Sequence, residues 1–191
     1  MISERKRPAG PPSNRSKTFR FGIVAGRFQP LHLGHCDLID TALRLCERVG
    51  VMIGSSYRPQ SADNPLSYSD RLCLLRQVYG DRIEVCPLPD IDIGVPDLWG
   101  KYLIKTAQLN FGKTPEVIFM GEEKERPRWF GRDSEILVLQ IKKSRHISGS
   151  AVRAALLAER DDTLQDKMPE KILPACGYLK DKIRAASFPP V

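Results

Sequence analysis

The sequence predicts an α/β fold: an open, parallel, five-stranded sheet with helices on both faces. Three observations predict it. Short apolar runs of strand length alternate with amphipathic helical patterns between residues 19 and 187. The runs read as buried strands, as a parallel sheet covered on both faces requires. The residues suited to binding an anion fall directly after those strands, at the carboxyl edge where such sheets bind ligands.

Phe19 to Ala25 (FRFGIVA) reads as the first strand, and GRFQP as the turn after it. Gly34 to Arg48 reads as a helix, with Leu38, Ile39, Ala42, Leu43 and Cys46 on one face. Val49 to Ile53 is the second strand, and Ser55 to Pro65 an aperiodic loop. Ser67 starts a helix with Asp70 completing a capping box, and Leu72, Leu75, Val78 and Tyr79 form its apolar stripe. Ile83 to Leu88 is the third strand, followed by the loop PLPDIDIGVP and a helix from Asp97 to Asn110. Glu116 to Met120 and Glu135 to Ile141 are the fourth and fifth strands. Ala151 to Ala158 is helical, and Pro169 to Ala186 holds one more helix. There is no internal repeat and no second core.

Composition narrows the class. The 191 residues suit one domain, taken as residues 19–187, with residues 1–18 as a basic, Pro-rich disordered arm. That arm lacks the apolar stretch of a secretory signal, and no apolar run approaches the ~20 residues of a membrane span. The net charge is +7, and Arg5, Lys6, Arg7, Arg15 and Lys17 place part of it in the arm. With no basic-aromatic interleaving, the charge does not read as a specific nucleic-acid surface. The five cysteines, Cys36, Cys46, Cys73, Cys86 and Cys176, include no C-x-x-C pair, so they read as reduced, mostly buried thiols of a cytoplasmic protein.

Two motifs carry the chemistry. GRFQPLHLGH, Gly26 to His35, places two histidines at the start of a helix, where unpaired N–H groups and the helix dipole favour anions. Gly26 lets the chain turn after the strand, and Gly34 lets the backbone approach a ligand. Arg27 carries a permanent charge that can fork onto phosphate. ISGSAVR, Ile147 to Arg153, opens a second helix in which Ser148 and Ser150 can cap and donate, with Arg153 a turn later. His146, at the end of KKSRH, reads equally as a surface residue. No GxxxxGK[ST] or GxGxxG is present. The histidines have no carboxylate or thiolate partner at metal-ligand spacing, so no protein-held metal site is expected.

The pair HxGH and ISxxxR resembles the signature of the nucleotidyltransferase superfamily, distantly shared with class I aminoacyl-tRNA synthetases. Within it, the chain looks most like nicotinamide-nucleotide adenylyltransferases of the archaeal type. Besides the two motifs, the IGSS of residues 53–56, NPLSYSDR from Asn64 to Arg71 and PDIDIGVPDLW from Pro89 to Trp99 carry that likeness. The segment MGEEKERPRWFGRD and the longer loop holding Trp99 depart from the family pattern. No counterpart to the N-terminal arm is recognised, and no fused helix-turn-helix or kinase domain is expected.

The resemblance implies a Rossmann-like fold and transfer of AMP from ATP to nicotinamide mononucleotide, giving NAD and pyrophosphate. It implies His32, His35, Arg27 and Arg153 as catalytic, with Gly26, Phe28, Gly34, Gly121, Ser148 and Ser150 around the ATP and its phosphates. Ser55, Asn64, Asp90 and Trp99 would line the acceptor pocket, Trp99 by stacking on the cationic nicotinamide ring. Mg²⁺ would bind mainly through the ATP phosphates and water. A homo-oligomer is expected by analogy. Two alternatives stay open: an adenylyl- or cytidylyltransferase with another phosphorylated acceptor, such as phosphopantetheine or FMN, and a non-catalytic nucleotide-binding module.

Overall fold

The computed structural model describes residues 17–58, 60–91, 96–121, 130, 135–142 and 147–187. Five strands, β1 (Phe19–Gly26), β2 (Cys46–Gly54), β3 (Glu84–Leu88), β4 (Val117–Gly121) and β5 (Leu137–Ile141), form one sheet in the order β3-β2-β1-β4-β5. Every pairing is parallel. The order reverses between β1 and β4, so the topological switch point opens at their carboxyl ends. The helices are α1 (Leu33–Leu45), α2 (Tyr68–Tyr79), α3 (Pro96–Phe111), α4 (Gly149–Leu157), α5 (Asp161–Leu164) and α6 (Cys176–Ser187).

Alternation along the strands splits the core in two. Val24, Val51, Ile53, Val117 and Phe119 point to the face covered by α1, α2, α4 and α6, where Ile39, Leu75, Val152 and Leu179 meet them. Phe21, Ile23, Met52, Ile118 and Met120 point to the opposite face, covered by α3 through Leu103, Ala107 and Phe111. Each such side chain, buried completely, contributes about 1.5–3 kcal/mol. The sheet is therefore covered on both faces, as expected.

Several boundaries differ from the sequence reading. Helix α1 stops at Leu45 instead of running to Arg48, because Cys46 is already extended and pairs with Phe19 in the β1–β2 ladder. The last segment is a 3₁₀ stretch at Glu170–Ala175 followed by α6; Pro174 has no N–H to continue one helix through it. The short helix α5 has no sequence counterpart. The buried face of α2 is also rotated: Arg71, Leu74, Leu75 and Tyr79 are buried, and Leu72 and Val78 only partly.

All five cysteines are free thiols; Cys36, Cys46 and Cys86 are buried, whereas Cys73 is exposed. Of the basic arm, only its end is described. Lys17 Nζ donates to the Leu43 and Arg44 carbonyls at 2.5 and 3.2 Å, placing a cation on the negative end of α1. Among the described residues, no helix is long and apolar enough to cross a membrane.

Candidate active site

The first motif is shaped by a turn that doubles back on itself. Phe28 adopts φ 52°, a left-handed conformation that favours glycine, and its ring is fully buried. That turn brings the Phe28 ring to 4.6 Å from the His35 ring, centroid to centroid. His32 is the N-cap of α1, one position outside the helix, and its Nδ1 accepts the His35 backbone N–H at 3.3 Å. An accepting Nδ1 carries no proton, so Nε2–H is the donor of that ring. The two imidazoles stack, with centroids 3.7 Å apart and planes 20° apart. A Cβ on Gly34 would stand 3.2 Å from the His32 ring and 3.7 Å from the Ile147 carbonyl, so this glycine lets the histidine lie flat beside the second motif.

The second motif docks directly on the first. Ser148 is the N-cap of α4, its Oγ accepting from the Ala151 N–H at 3.2 Å and lying 2.9 Å from Ser150 Oγ. Arg153 turns back over the site, and its Nη1 donates to the Gln29 carbonyl at 2.9 Å. Its Nη2 lies 3.5 Å from the carboxylate of Asp63. Burial pulls the Arg153 guanidinium below the ordinary arginine range, Asp63 opposes that shift and the nearby Arg27 adds to it.

These groups line one cleft of about 510 Å³ at the carboxyl edge of β1 and β4. Gly26, Arg27, Phe28, His32, Gly34, His35, Gly121, Ser148, Ser150 and Arg153 all border it. Every residue expected to be catalytic or to hold the triphosphate is therefore in one place. His146 and the segment 122–129 after β4 lie outside the described residues.

The four expected acceptor residues do not line that cleft. Ser55 Oγ donates to Asp90 Oδ1 at 3.2 Å, and Arg58 pairs with the same carboxylate. Trp99 lies half-buried on α3 beside Tyr102, whose hydroxyl donates to the Pro89 carbonyl at 2.9 Å. Ser55, Asp90 and Trp99 thus gather past the ends of β2 and β3. Asn64 is buried, its Oδ1 accepting from Gln29 Nε2. Gln29 also brackets Leu66, donating to its carbonyl at 2.8 Å and accepting its N–H at 2.9 Å.

Sequence reasoning missed Gln29, Asp63 and Arg71. Arg71 is 1% exposed and, among the described residues, the largest fully buried side chain. Its Nη1 donates to the Arg27 carbonyl at 2.9 Å and the Gly54 carbonyl at 2.6 Å, its Nη2 to the Ser55 carbonyl at 3.1 Å, and its Nε to the Ser67 carbonyl at 3.1 Å. Burial pushes its pKa down to about 10, so it remains charged at neutral pH. One guanidinium thus fastens the loops that follow β1 and β2 to the start of α2.

Among the described residues, no group of three His, Cys, Asp or Glu side chains stands close enough to hold a metal ion. Among those same residues, Asp63 is the one carboxylate bordering the cleft. This donor set suits a hard divalent cation that arrives on a polyphosphate and keeps most of its waters.

Residues 23–155 match the model of a family described as cytidylyltransferase-like. A nicotinamide-nucleotide adenylyltransferase of Saccharolobus solfataricus is 29% identical over 125 residues, covering 59% of this chain and 72% of that one. Another of that name, from Aeropyrum pernix, is 36% identical over 87 residues; the match spans 42% of this chain and about half of the relative, 49%. A crystal structure of a bifunctional NMN adenylyltransferase/ADP ribose pyrophosphatase from Francisella tularensis, complexed with AMP and Mn ion, superposes with a TM-score of 0.62. It is 22% identical over 73% of this chain and 42% of that chain, a likeness of fold. Matched by the family model over most of its length, the chain belongs to the cytidylyltransferase-like family.

Proposed function

We propose that this chain is a nucleotidyltransferase that transfers AMP from ATP to nicotinamide mononucleotide, forming NAD and pyrophosphate. The observation that carries the reading is the meeting of the His32–His35 pair with Ser148, Ser150 and Arg153 in one cleft at the switch point. The archaeal relatives named nicotinamide-nucleotide adenylyltransferase supply the acceptor. The working unit is residues 19–187, with residues 1–18 an appended arm.

In this reaction an acceptor phosphate oxygen attacks the α-phosphorus of ATP in line. The bond from that phosphorus to the bridging oxygen breaks, and pyrophosphate leaves with the electron pair. The nucleophile is already an anion, so no base is needed. The protein's contribution is to hold two anions together and to stabilise the charge that builds in the transition state. His35 and the Nε2–H of His32 serve the α-phosphoryl group, and Arg27 bridges the phosphates of both substrates. Arg153 and the two serines at the head of α4 hold the β- and γ-phosphates, where the helix dipole assists. Mg²⁺ would supply further charge neutralisation and would be held by the phosphates and their waters. Ser55, Asp90 and Trp99 form the acceptor side.

The test is production of NAD and pyrophosphate from ATP and nicotinamide mononucleotide. Parallel reactions offer nicotinate mononucleotide, phosphopantetheine and FMN as acceptors, and CTP as donor. Turnover with nicotinamide mononucleotide below that with phosphopantetheine or FMN overturns the acceptor assignment, and no pyrophosphate with any pair overturns the transferase reading.

A further inference from the structure

Arg153 is held from two directions. One edge of its guanidinium is tied to a backbone carbonyl of the first motif, Nη1 to Gln29 at 2.9 Å, and this tie fixes where the group sits. The other edge, Nη2, faces the carboxylate of Asp63 at 3.5 Å. The two partners differ in environment: the Arg153 side chain is 14% exposed and that of Asp63 is 91% exposed. An ion pair with one such exposed member contributes little to folding stability. Its effect falls on Arg153, whose outward edge already has an anion on it.

Asp63 borders the cleft on the turn closed by the Ser61–Asn64 bridge, and Asn64 is anchored to Gln29. The carboxylate is therefore delivered to Arg153 by the loop after β2, from a backbone tethered to the first motif. An anion entering the cleft has to compete with it for Nη2, and a polyphosphate does so with several charges at once.

We propose that Asp63 is a positioning residue that occupies the outward edge of Arg153 and is displaced from it by the triphosphate, so that it weakens the grip on ATP and on pyrophosphate. This rests on the nucleotidyltransferase reading above. Nucleotide entry breaks the Asp63–Arg153 pair, and departure of pyrophosphate restores it. The carboxylate thereby favours release of the leaving group over its retention. A ligand lacking the β- and γ-phosphates does not compete for Nη2 and does not sense the exchange.

Calorimetric titration of the full chain with ATP in magnesium, with pyrophosphate and with AMP tests this. D63N is expected to bind ATP and pyrophosphate roughly two- to five-fold more tightly, the range an exposed ion pair supports, and AMP unchanged. D63E is expected to restore the original affinities. The gain is expected to shrink as salt is raised and to be largely lost in an R153A background. Thermal unfolding of D63N should match that of the unaltered protein, because an exposed side chain is being changed. Unchanged or weaker ATP binding by D63N overturns the proposal; the weaker outcome is what a metal-anchoring carboxylate gives. A gain that persists undiminished in R153A also overturns it. Failure of the unaltered protein to bind ATP overturns both this proposal and the transferase reading, whereas ATP binding with an unresponsive D63N overturns this one alone.

Discussion

Gly149 and Gln29 touch so closely that a Cβ on the glycine would stand 2.7 Å from the Gln29 carbonyl oxygen. Neither end of that contact is a flexible side chain. The head of α4 and the turn after β1, far apart in sequence, are packed backbone to backbone, and Arg153 donates to the same carbonyl.

Gly149→Ala is therefore expected to separate the two motifs. Turnover should fall by about ten-fold or more, since small displacements of aligned groups are costly in rate. Gly177→Ala is the control. That glycine lies in the first turn of α6, and an added methyl there would meet nothing within 4 Å beyond its own helical backbone and chain neighbours. Alanine also favours helix over glycine by up to about 1 kcal/mol. Pyrophosphate release and thermal unfolding of the two variants check this; equal activities would show that the close approach is unimportant.

The capping and chemical roles of His32 can be separated. His32→Ala removes the N-cap of α1 and should cost about 1 kcal/mol of stability together with most of the turnover. His32→Asn offers another capping side chain and should recover the stability while leaving turnover low. His35→Ala, which leaves the cap in place, should lower turnover by several orders of magnitude with the unfolding transition little changed. Chemical denaturation and single-turnover kinetics read the two quantities independently, and a His32→Asn protein with normal turnover would remove that imidazole from the chemistry.

That the two motifs converge was legible because both follow strands of one parallel sheet, whose carboxyl-edge loops meet at the switch point. Two histidines flanking a glycine at a helix start, and a serine-capped helix bearing an arginine, are residue sets suited to an anion, and the alternation of strands and helices says where they meet. The linking residues were hidden for a different reason. Gln29 and Asp63 act through contacts between loops distant in sequence, which no local period encodes. Arg71 did leave a trace: with Leu74, Leu75 and Tyr79 it falls on one helical stripe, but a charge beside a capping box reads as solvated. The end of α1 was misplaced because pairing of Cys46 with β1 overrides a helical pattern that continues to Arg48.

Arg71 gives a prediction about folding and activity together. Removing its side chain takes a shared donor from the carbonyls of Arg27, Gly54 and Ser55, while the Ser67 carbonyl keeps the Arg71 backbone N–H at 3.2 Å. Each buried carbonyl so deprived costs about 1–3 kcal/mol where water cannot enter. Arg71→Met should therefore destabilise by roughly 3 kcal/mol or more in urea titration. Arg71→Lys keeps the charge but reaches fewer acceptors, and should fold with a raised KM for both substrates. Full stability and unaltered KM in Arg71→Met would mean that the two loops hold their places unaided.

The proposed acceptor side makes the most exposed prediction, because its residues stand outside the cleft lined by the two motifs. If Trp99 stacks on the cationic nicotinamide ring, both the area and the electron richness of its aromatic face matter, and phenylalanine supplies less of each. Trp99→Phe should then raise the KM for nicotinamide mononucleotide by up to about ten-fold, the span of a cation–π contact of ~1 kcal/mol or somewhat more. Trp99→Leu should raise it further, and neither should alter the KM for ATP. Asp90→Asn weakens the hold on Arg58 and Ser55 at the ends of β2 and β3, and should raise the same KM without touching the other. Steady-state kinetics with each substrate varied in turn give both constants. A change confined to ATP would move Trp99 and Asp90 to the donor side; no change in either constant would leave Trp99 as a packing residue of α3 against Tyr102.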